Sequence, residues 1–146
     1  MATFLCGEFR HQLDEKGRVR VPSRLKSFLD KDSIILKGVG GCLYIYSGKS
    51  FEKIAEKLSN VPLTDVAAQN AISRLFASIY HLEEDGQGRA LIPADLRTSM
   101  GLKKNIVFVG SLNKIELWDA DIFDKRDQGK LQSTESILEA LKAYGV

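Results

Sequence analysis

The sequence has few of the residues that build metal sites, disulfide frameworks or catalytic dyads. It contains only two cysteines, two histidines and one tryptophan among 146 residues. Cys6 and Cys42 lie far apart, with no CxxC pair and no histidine at ligand spacing. This pattern indicates neither a disulfide framework nor a zinc site, and we expect both thiols to be small buried groups.

Long hydrophobic runs are also absent. No stretch approaches the roughly 18 apolar residues of a membrane helix, and residues 1–8 lack the basic and apolar pattern of a signal peptide. We therefore expect a cytoplasmic protein with no membrane partner. The 44% hydrophobic and 27% charged composition is that of a globular chain, long enough for one domain or two fused small ones.

Three ligand-binding motifs begin in the sequence but are not completed. Residues 47–50 end like a P-loop, yet the required upstream glycine position holds Leu43, which also breaks the GxGxxG pattern of Gly38 and Gly40. The acidic run from Asp119 lacks a glycine at its sixth position and has Lys130 at its twelfth, so it is not a calcium loop.

The two histidines complete no catalytic arrangement either. Neither His11 nor His81 stands beside an obvious nucleophile and orienting acid. We therefore expect no enzymatic activity, no cofactor, no metal and no small-molecule substrate.

The net charge of +2 is too small to indicate nucleic-acid binding by itself, but it is unevenly distributed. Residues 1–60 hold eleven Lys and Arg against seven Asp and Glu, whereas residues 61–146 hold ten against twelve. The basic excess is greatest between residues 8 and 26. A local patch of this kind is expected of a phosphate-binding surface, and an ordinary solvated face is the alternative.

A twelve-residue box occurs twice, at residues 14–25 and 85–96, and organises the whole chain. Five identities recur at a constant offset of 71, namely Asp14/Asp85, Gly17/Gly88, Arg18/Arg89, Pro22/Pro93 and Leu25/Leu96. Such a match indicates an internal duplication. After one inserted residue the offset becomes 72, which still pairs Phe51 with Phe123, so the duplication spans nearly the whole chain.

Hydrophobic periodicity places the first box in a hairpin. Phe9, His11 and Leu13 alternate with polar residues, as do Val19 and Val21, which predicts two strands joined by a turn with its basic side chains outward. Pro22 then suits the start of a helix that runs to Asp30.

The rest of each copy follows the same order of elements. We expect strands at 34–37 and 43–46 and a helix capped by Ser50 that runs through Leu58. A longer helix capped by Thr64 has its apolar residues on one stripe, which we interpret as core or partner-facing surface.

The second copy repeats this order, and a final helix closes the chain. Its predicted elements are a strand at 80–84, a helix after Pro93, strands at 106–109 and 115–118, a helix near Phe123 and a last amphipathic helix with Ile137, Leu138, Leu141 and Tyr144 on one side.

The two copies differ in charge at corresponding positions. Copy one has Arg10, Lys16, Arg20 and Arg24 where copy two has His81, Gln87, Leu91 and Asp95. We infer that the first box carries most of the nucleic-acid affinity and that the second is weighted toward architecture, as a lesser contact or a subunit interface.

The recurring arginine has two possible roles. Asp, Gly, Pro and Leu are explained by turn and helix geometry, but a hairpin does not need the long cation at Arg18 and Arg89. It either clamps the aspartate of its own or the neighbouring box, or it is presented by a rigid hairpin to phosphate or to guanine in the major groove.

Two Asp-x-x-x-Arg boxes, each followed by Pro and a helix and about seventy residues apart, resemble the MraZ family of bacterial transcriptional regulators. The resemblance implies an α+β fold of duplicated AbrB-like, swapped-hairpin units that form one pseudo-twofold domain. It also implies a ring-shaped homo-oligomer that binds double-stranded DNA at promoter repeats upstream of the division and cell-wall gene cluster, its own gene included.

The resemblance matches Asp14 and Arg18, with Asp85 and Arg89, to the family motif. We accordingly expect the chain to be nucleoid-associated. The residues expected to bind DNA are Arg18, Arg20, Arg10, Lys16 and Arg24, with Arg89 as a lesser contact and Asp14 and Asp85 orienting the turns.

The expected division is a first repeat at 1–60, a connecting helix at 61–79, a second repeat at 80–132 and a C-terminal helix at 133–146. The alternative function is a ring-forming interaction scaffold that does not bind DNA, with its partner surface on the helix from Thr64 or on the last helix.

Overall fold

A computed structural model describes residues 4–146 of the chain as an α+β arrangement of antiparallel strands and helices. The strands are β1 (Glu8–Gln12), β2 (Arg18–Val19), β3 (Ile34–Lys37), β4 (Leu43–Tyr46), β5 (Tyr80–His81), β6 (Glu83–Glu84), β7 (Ala90–Leu91), β8 (Asn105–Ser111) and β9 (Lys114–Asp119). The helices are α1 (Ser23–Lys26), α2 (Gly48–Ser59), α3 (Val66–Ala77), α4 (Ala94–Ser99), α5 (Ala120–Asp124) and α6 (Thr134–Leu141).

The two repeats interleave in one six-stranded sheet. Its order is β1-β8-β9-β4-β3-β5, in which β1 and β5, β8 and β3, and β9 and β4 are equivalent strands of the two repeats. If each strand is replaced by its equivalent from the other repeat, the order read from one edge of the sheet equals the order read from the opposite edge. A second, three-stranded sheet in the order β2-β7-β6 joins the two boxes.

The expectation that the strands on either side of the first box pair with each other is wrong. Strand β1 pairs with β8 of the other repeat, with Phe9 opposite Phe108, and β2 pairs with β7. The half-buried His11 ring stands edge-on to Phe108 at 5.8 Å. Strand β8 offers β1 five paired residues, whereas β2 is only two residues long and is itself paired with β7.

The predicted strand at 80–84 is divided between the two sheets. Strand β5 pairs with β3, β6 pairs with β7, and the N–H of Leu82 between them donates to the carbonyl of Ser33. Both box turns are closed by a backbone bond from the aspartate N–H to the arginine carbonyl, but only around the second box does strand pairing, β6–β7, continue beyond the turn. The exposed His81 and the half-buried His11 occupy different environments.

The core lies between the large sheet and the segments that follow each box. Sheet residues such as Ile45, Phe108 and Leu117 are fully buried, and the two recurring leucines, Leu25 and Leu96, pack against them. Burial of this apolar surface is the main favourable term in folding, at about 25 cal/mol per Å². It explains why the box ends on leucine in both copies.

The strands at 34–37 and 43–46 are confirmed, but three helix ends differ from the predictions. Helix α2 is capped by Ser47, whose Oγ accepts from the N–H of Ser50, and α3 is capped by Asp65, not Thr64. Helix α1 ends at Lys26, because the chain must turn to bring Asp30 to α2. There the Asp30 carboxylate accepts from the N–H groups of Gly48 and Lys49.

The later helices expose much of their apolar surface. In α3, Leu75 packs against a cluster that includes Ile34, Tyr46 and Phe51, but the Phe76 side chain is exposed. In the last helix, the whole predicted apolar side is exposed. Within residues 4–146, no helix combines the length and hydrophobicity that crossing a lipid bilayer requires.

The expectation that both thiols are buried is half wrong. Cys42 is fully buried directly before β4, and burial raises the pKa of its thiol to about 12. Cys6 is exposed shortly before β1, where its backbone packs against Gly110. Both cysteines are free thiols.

Candidate nucleic-acid interface

Each box forms the same tight turn around its aspartate. In the first box, Asp14 Oδ1 accepts from the N–H groups of Lys16 and Arg18, both at 2.9 Å. The Gly17 N–H donates to the Asp14 carbonyl at 3.0 Å, and Gly17 has φ +81°, which favours glycine. An aspartate that bonds to its own following backbone in this way fixes the turn locally.

The second box repeats this geometry almost without change. Asp85 Oδ1 accepts from the N–H groups of Gln87 and Arg89 at 2.9 Å, and Gly88 has φ +75°. The recurrence of Asp and Gly in the two copies therefore follows from one turn geometry.

The two recurring arginines join the two boxes into a quartet of charges, defined as Asp14, Arg18, Asp85 and Arg89. Each Nε lies 2.8 Å from the Oδ2 of its own aspartate. Across the repeats, Arg18 Nη1 lies 3.9 Å from Asp85 Oδ2, and Arg89 Nη1 lies 3.6 Å from Asp14 Oδ2. The clamp role anticipated for the arginine is thus present in the structure, and it extends to the neighbouring box.

The quartet holds its carboxylates in the charged form. For both Asp14 and Asp85 the pKa is lowered, chiefly because the backbone N–H of the box arginine bonds to the carboxylate, with the guanidinium adding to the effect. All four side chains are half-buried, which reduces their screening by water.

A cation from the opposite repeat lies against each turn, and Lys26 bonds directly to the second one. Lys26 Nζ donates to the carbonyl of Gly88 at 3.2 Å and lies 3.4 Å from Glu84. At the equivalent position, Arg97 Nε donates to the carbonyl of Ile92 at 3.0 Å, and it would lie 2.5 Å from a Cβ built on Gly17. The sequence-based predictions missed this role. Lys26 and Arg97 both carry a positive charge and stand 71 positions apart, like the five identical residues of the boxes, and this could have indicated it.

Three of the predicted DNA-binding cations belong to the first box and carry charges that pair with no carboxylate among residues 4–146. Lys16, Arg20 and Arg24 are exposed, and none has a carboxylate partner within 4.0 Å in the part of the chain that the structure describes. The Arg20 guanidinium extends toward the second turn, since a Cβ on Gly88 would lie 3.8 Å from its Nη1. Lys16 in the first turn and Arg20 thus lie on the surface that the two turns form together, here called the platform, and Arg24 follows them on α1.

Arg10 is placed apart from these three cations. It projects from β1 toward α5, where its guanidinium lies 2.7 Å from Asp124, 3.2 Å from Glu8 and 5.6 Å from the centre of the Phe123 ring. The bond to Asp124 raises the pKa of Arg10 further. The structure therefore uses this charge to tie β1 to α5.

The second box has no comparable set of free cations. The counterparts of Lys16, Arg20 and Arg24 are Gln87, Leu91 and Asp95, all exposed. Asp95 accepts a hydrogen bond from the Tyr80 hydroxyl, which lowers the pKa of the carboxyl group. Because the quartet joins the two turns, the side of this surface that belongs to the first box carries free cations and the side that belongs to the second box, within residues 4–146, does not.

Comparison with known proteins identifies the family. The family model described as "MraZ protein, putative antitoxin-like" matches residues 4–74 and again residues 75–141. The transcriptional regulator MraZ of Acetivibrio thermocellus is 34% identical over 140 residues, covering 96% of this chain and 98% of the relative. That of Thermoanaerobacter sp. is 35% identical over 138 residues, covering 94% and 96%. The chain therefore belongs to the MraZ family.

Proposed function

We propose that the chain is a transcriptional regulator that binds double-stranded DNA in a sequence-specific manner. Its relatives are named transcriptional regulators. The observation that carries the proposal is a set of exposed cations without ion-pair partners in residues 4–146, namely Lys16 and Arg20 on the platform of the two turns and Arg24 on α1 beside it. Such a set provides the phosphate contacts on which most affinity for DNA depends.

The quartet allows Arg18 to act both as a clamp and as a DNA contact. A guanidinium has five N–H donors, and the contacts to Asp14 and Asp85 engage only its Nε and Nη1. The Nη2 donors remain available to a phosphate or to a guanine edge in the major groove. Arg89 has the same geometry with fewer free cations around it, so we propose it as the lesser contact.

The proposed target is a set of promoter repeats upstream of the division and cell-wall gene cluster, including the protein's own gene. This target follows from the family resemblance of the two boxes. A cytoplasmic, nucleoid-associated location accompanies it. Arg10 is not part of the proposed surface, because Asp124 and Glu8 already engage its guanidinium.

We further propose that the two repeats correspond to AbrB-like swapped-hairpin units. The support is the exchange of strands between repeats in β1–β8, β3–β5 and β2–β7. In this description the repeats span 1–60 and 80–132, the segment 61–79 connects them, and 133–146 forms the C-terminal helix.

A ring-shaped homo-oligomer is proposed as the active form. The apolar residues Ile137, Leu138 and Leu141 of α6 and Phe76 of α3 are exposed in the single chain, and subunit contacts would bury them. Several platforms on one ring would engage adjacent DNA repeats with a high effective concentration, so that weak single contacts add up. The same exposed faces favour the second candidate function, a ring-forming protein scaffold that does not bind DNA.

Fluorescence anisotropy would test the proposed function directly. The protein is titrated onto a labelled duplex from upstream of its own gene and onto a scrambled duplex, across a series of salt concentrations. We expect tighter binding to the native duplex and a steep loss of affinity with salt. Equal affinity for the two duplexes would contradict sequence-specific regulation, and no binding to either would favour the scaffold.

A further inference from the structure

Lys103 and Lys104 of the second repeat lie beside the first box. The backbone N–H of Leu13, immediately before the box, donates to the carbonyl of Lys104 at 2.8 Å. Together with Asp14, Glu15 and Arg97, the two lysines line an open cleft at the edge of the first turn, here called the first-box cleft. The cleft thus combines side chains from the two repeats.

Both lysines are exposed and carry free charges. Among residues 4–146, neither ammonium group has a carboxylate within 4.0 Å. The Lys103 backbone N–H donates to the buried Asp119 at 3.0 Å, which fixes the position of the segment without engaging its side chains. Two adjacent cations on a fixed backbone are suited to phosphate groups, which need no bidentate geometry from lysine.

The equivalent cleft beside the second box has a different charge. It is lined by Lys26 and Lys31 together with Asp30 and Glu84. Counted from the strands that begin at Ile34 and Asn105, with Ile34 matching Ile106, Lys31 corresponds to Lys103 and Asp32 to Lys104. The second repeat therefore places its extra positive charge next to the first box and not next to its own.

We propose that Lys103 and Lys104 extend the DNA-binding surface of the first box by contacting backbone phosphates beyond the turn. This inference rests on the proposed DNA-binding function. It assigns a direct role to a repeat whose own box is poor in free cations. Asp14 is engaged in the quartet, so Glu15 is the acidic side chain of the first-box cleft that opposes a phosphate there.

The test uses the full-length chain and the anisotropy assay with the native and scrambled duplexes. The K103A/K104A variant is compared with wild type and with Lys31→Ala, the matched control from the other cleft. The salt slope is the slope of the logarithm of the binding constant against the logarithm of the salt concentration. Removing one lysine–phosphate interaction reduces its magnitude by about 1 and weakens binding roughly five-fold near 0.15 M salt. K103A/K104A removes two such interactions, so we expect its salt slope to fall in magnitude by about 2 and its binding to weaken about 25-fold on both duplexes, with neither effect for Lys31→Ala.

A change of opposite sign provides a second arm. Glu15→Gln removes the repulsive charge and should tighten binding in wild type but much less in K103A/K104A, because the phosphate is then no longer held in the cleft. A wild-type salt slope in K103A/K104A would overturn the inference while leaving the proposed function standing. Failure of the wild-type chain to bind either duplex would overturn both, and the thermal midpoint of each variant verifies folding.

Discussion

Arg18 Nη1 lies 3.9 Å from Asp85 Oδ2, although the two residues are separated by 67 positions and belong to different repeats. The reciprocal contact joins Arg89 Nη1 to Asp14 Oδ2 at 3.6 Å. Each box therefore needs the other to complete its charge pairing. The two Asp-x-x-x-Arg boxes are therefore joined into one structural unit.

The symmetry of the quartet predicts that Arg18→Ala and Arg89→Ala destabilise the fold to a similar extent. Each change removes one Nε interaction at 2.8 Å and one longer cross-repeat interaction. The double variant should lose less stability than the two single losses added, because the four residues form one network.

Urea unfolding at a fixed protein concentration measures these changes. Arg20→Ala is the matched control, since this exposed cation has no ion pair within residues 4–146, and we expect its effect to stay within about 0.5 kcal/mol. Additive losses in the double variant would show that the two boxes are independent.

Acid should remove the contribution of the quartet. The pKa values of Asp14 and Asp85 are lowered in the folded state, so their stabilising effect is present above the ordinary aspartate pKa of about 3.9 and is lost as the pH falls through the lower folded values. The D14N/D85N variant lacks this effect at every pH. The stability difference between wild type and variant should be constant from pH 5 to 7 and shrink below pH 4.

Chemical denaturation at a series of pH values measures that difference. Other carboxylates with lowered pKa values, such as Asp30 and Asp124, titrate in both proteins and cancel in the comparison. A difference that grows as the pH falls would contradict the charge assignment of the quartet.

The two thiols should react at very different rates. Cys6 is exposed, whereas Cys42 is fully buried and burial raises its pKa to about 12, so it has almost no reactive thiolate near neutral pH. We expect one fast thiol per chain with a chromogenic disulfide reagent and a second only after unfolding. Cys6→Ser should abolish the fast reaction. Two fast thiols in the native protein would contradict the burial of Cys42.

The recurring leucine should be a determinant of stability in both copies. Leu25 and Leu96 are buried in the core, and truncation of such a side chain leaves a cavity. We expect Leu25→Ala and Leu96→Ala each to cost about 2–5 kcal/mol. Leu91→Ala is the control, because Leu91 is 39% exposed where Leu96 is only 2% exposed. Similar losses for Leu91 and Leu96 would refute this packing.

The elements that depend on local pattern could be predicted from the sequence, and those that depend on distant partners could not. Strands β3 and β4 have the predicted bounds because alternation and glycine turns are local signals. The pairing of β1 with β8 was missed, since a strand beside a turn looks the same whether its partner is near or far in the chain.

The same limit applies to the candidate site. The Asp–Gly–Arg turns could be predicted from residue type, and the charge difference between the boxes is visible in the sequence. The engagement of Arg10 by Asp124 joins residues 114 positions apart, and no local pattern indicates it. Lys103 and Lys104 were likewise missed because they belong to the acidic half of the chain and reach the first box only through the fold.

DNA binding by the free cations of the first box can be tested with the second box as the template. The double variant Lys16→Gln, Arg20→Leu replaces two of these cations with the residues found at the same positions of the second box. The affinity of this variant for the native duplex is then measured across a series of salt concentrations. We predict that the double variant folds, retains its oligomeric state and loses about 1 to 2 in the magnitude of the salt slope. A slope and affinity equal to those of wild type would contradict DNA binding by these cations.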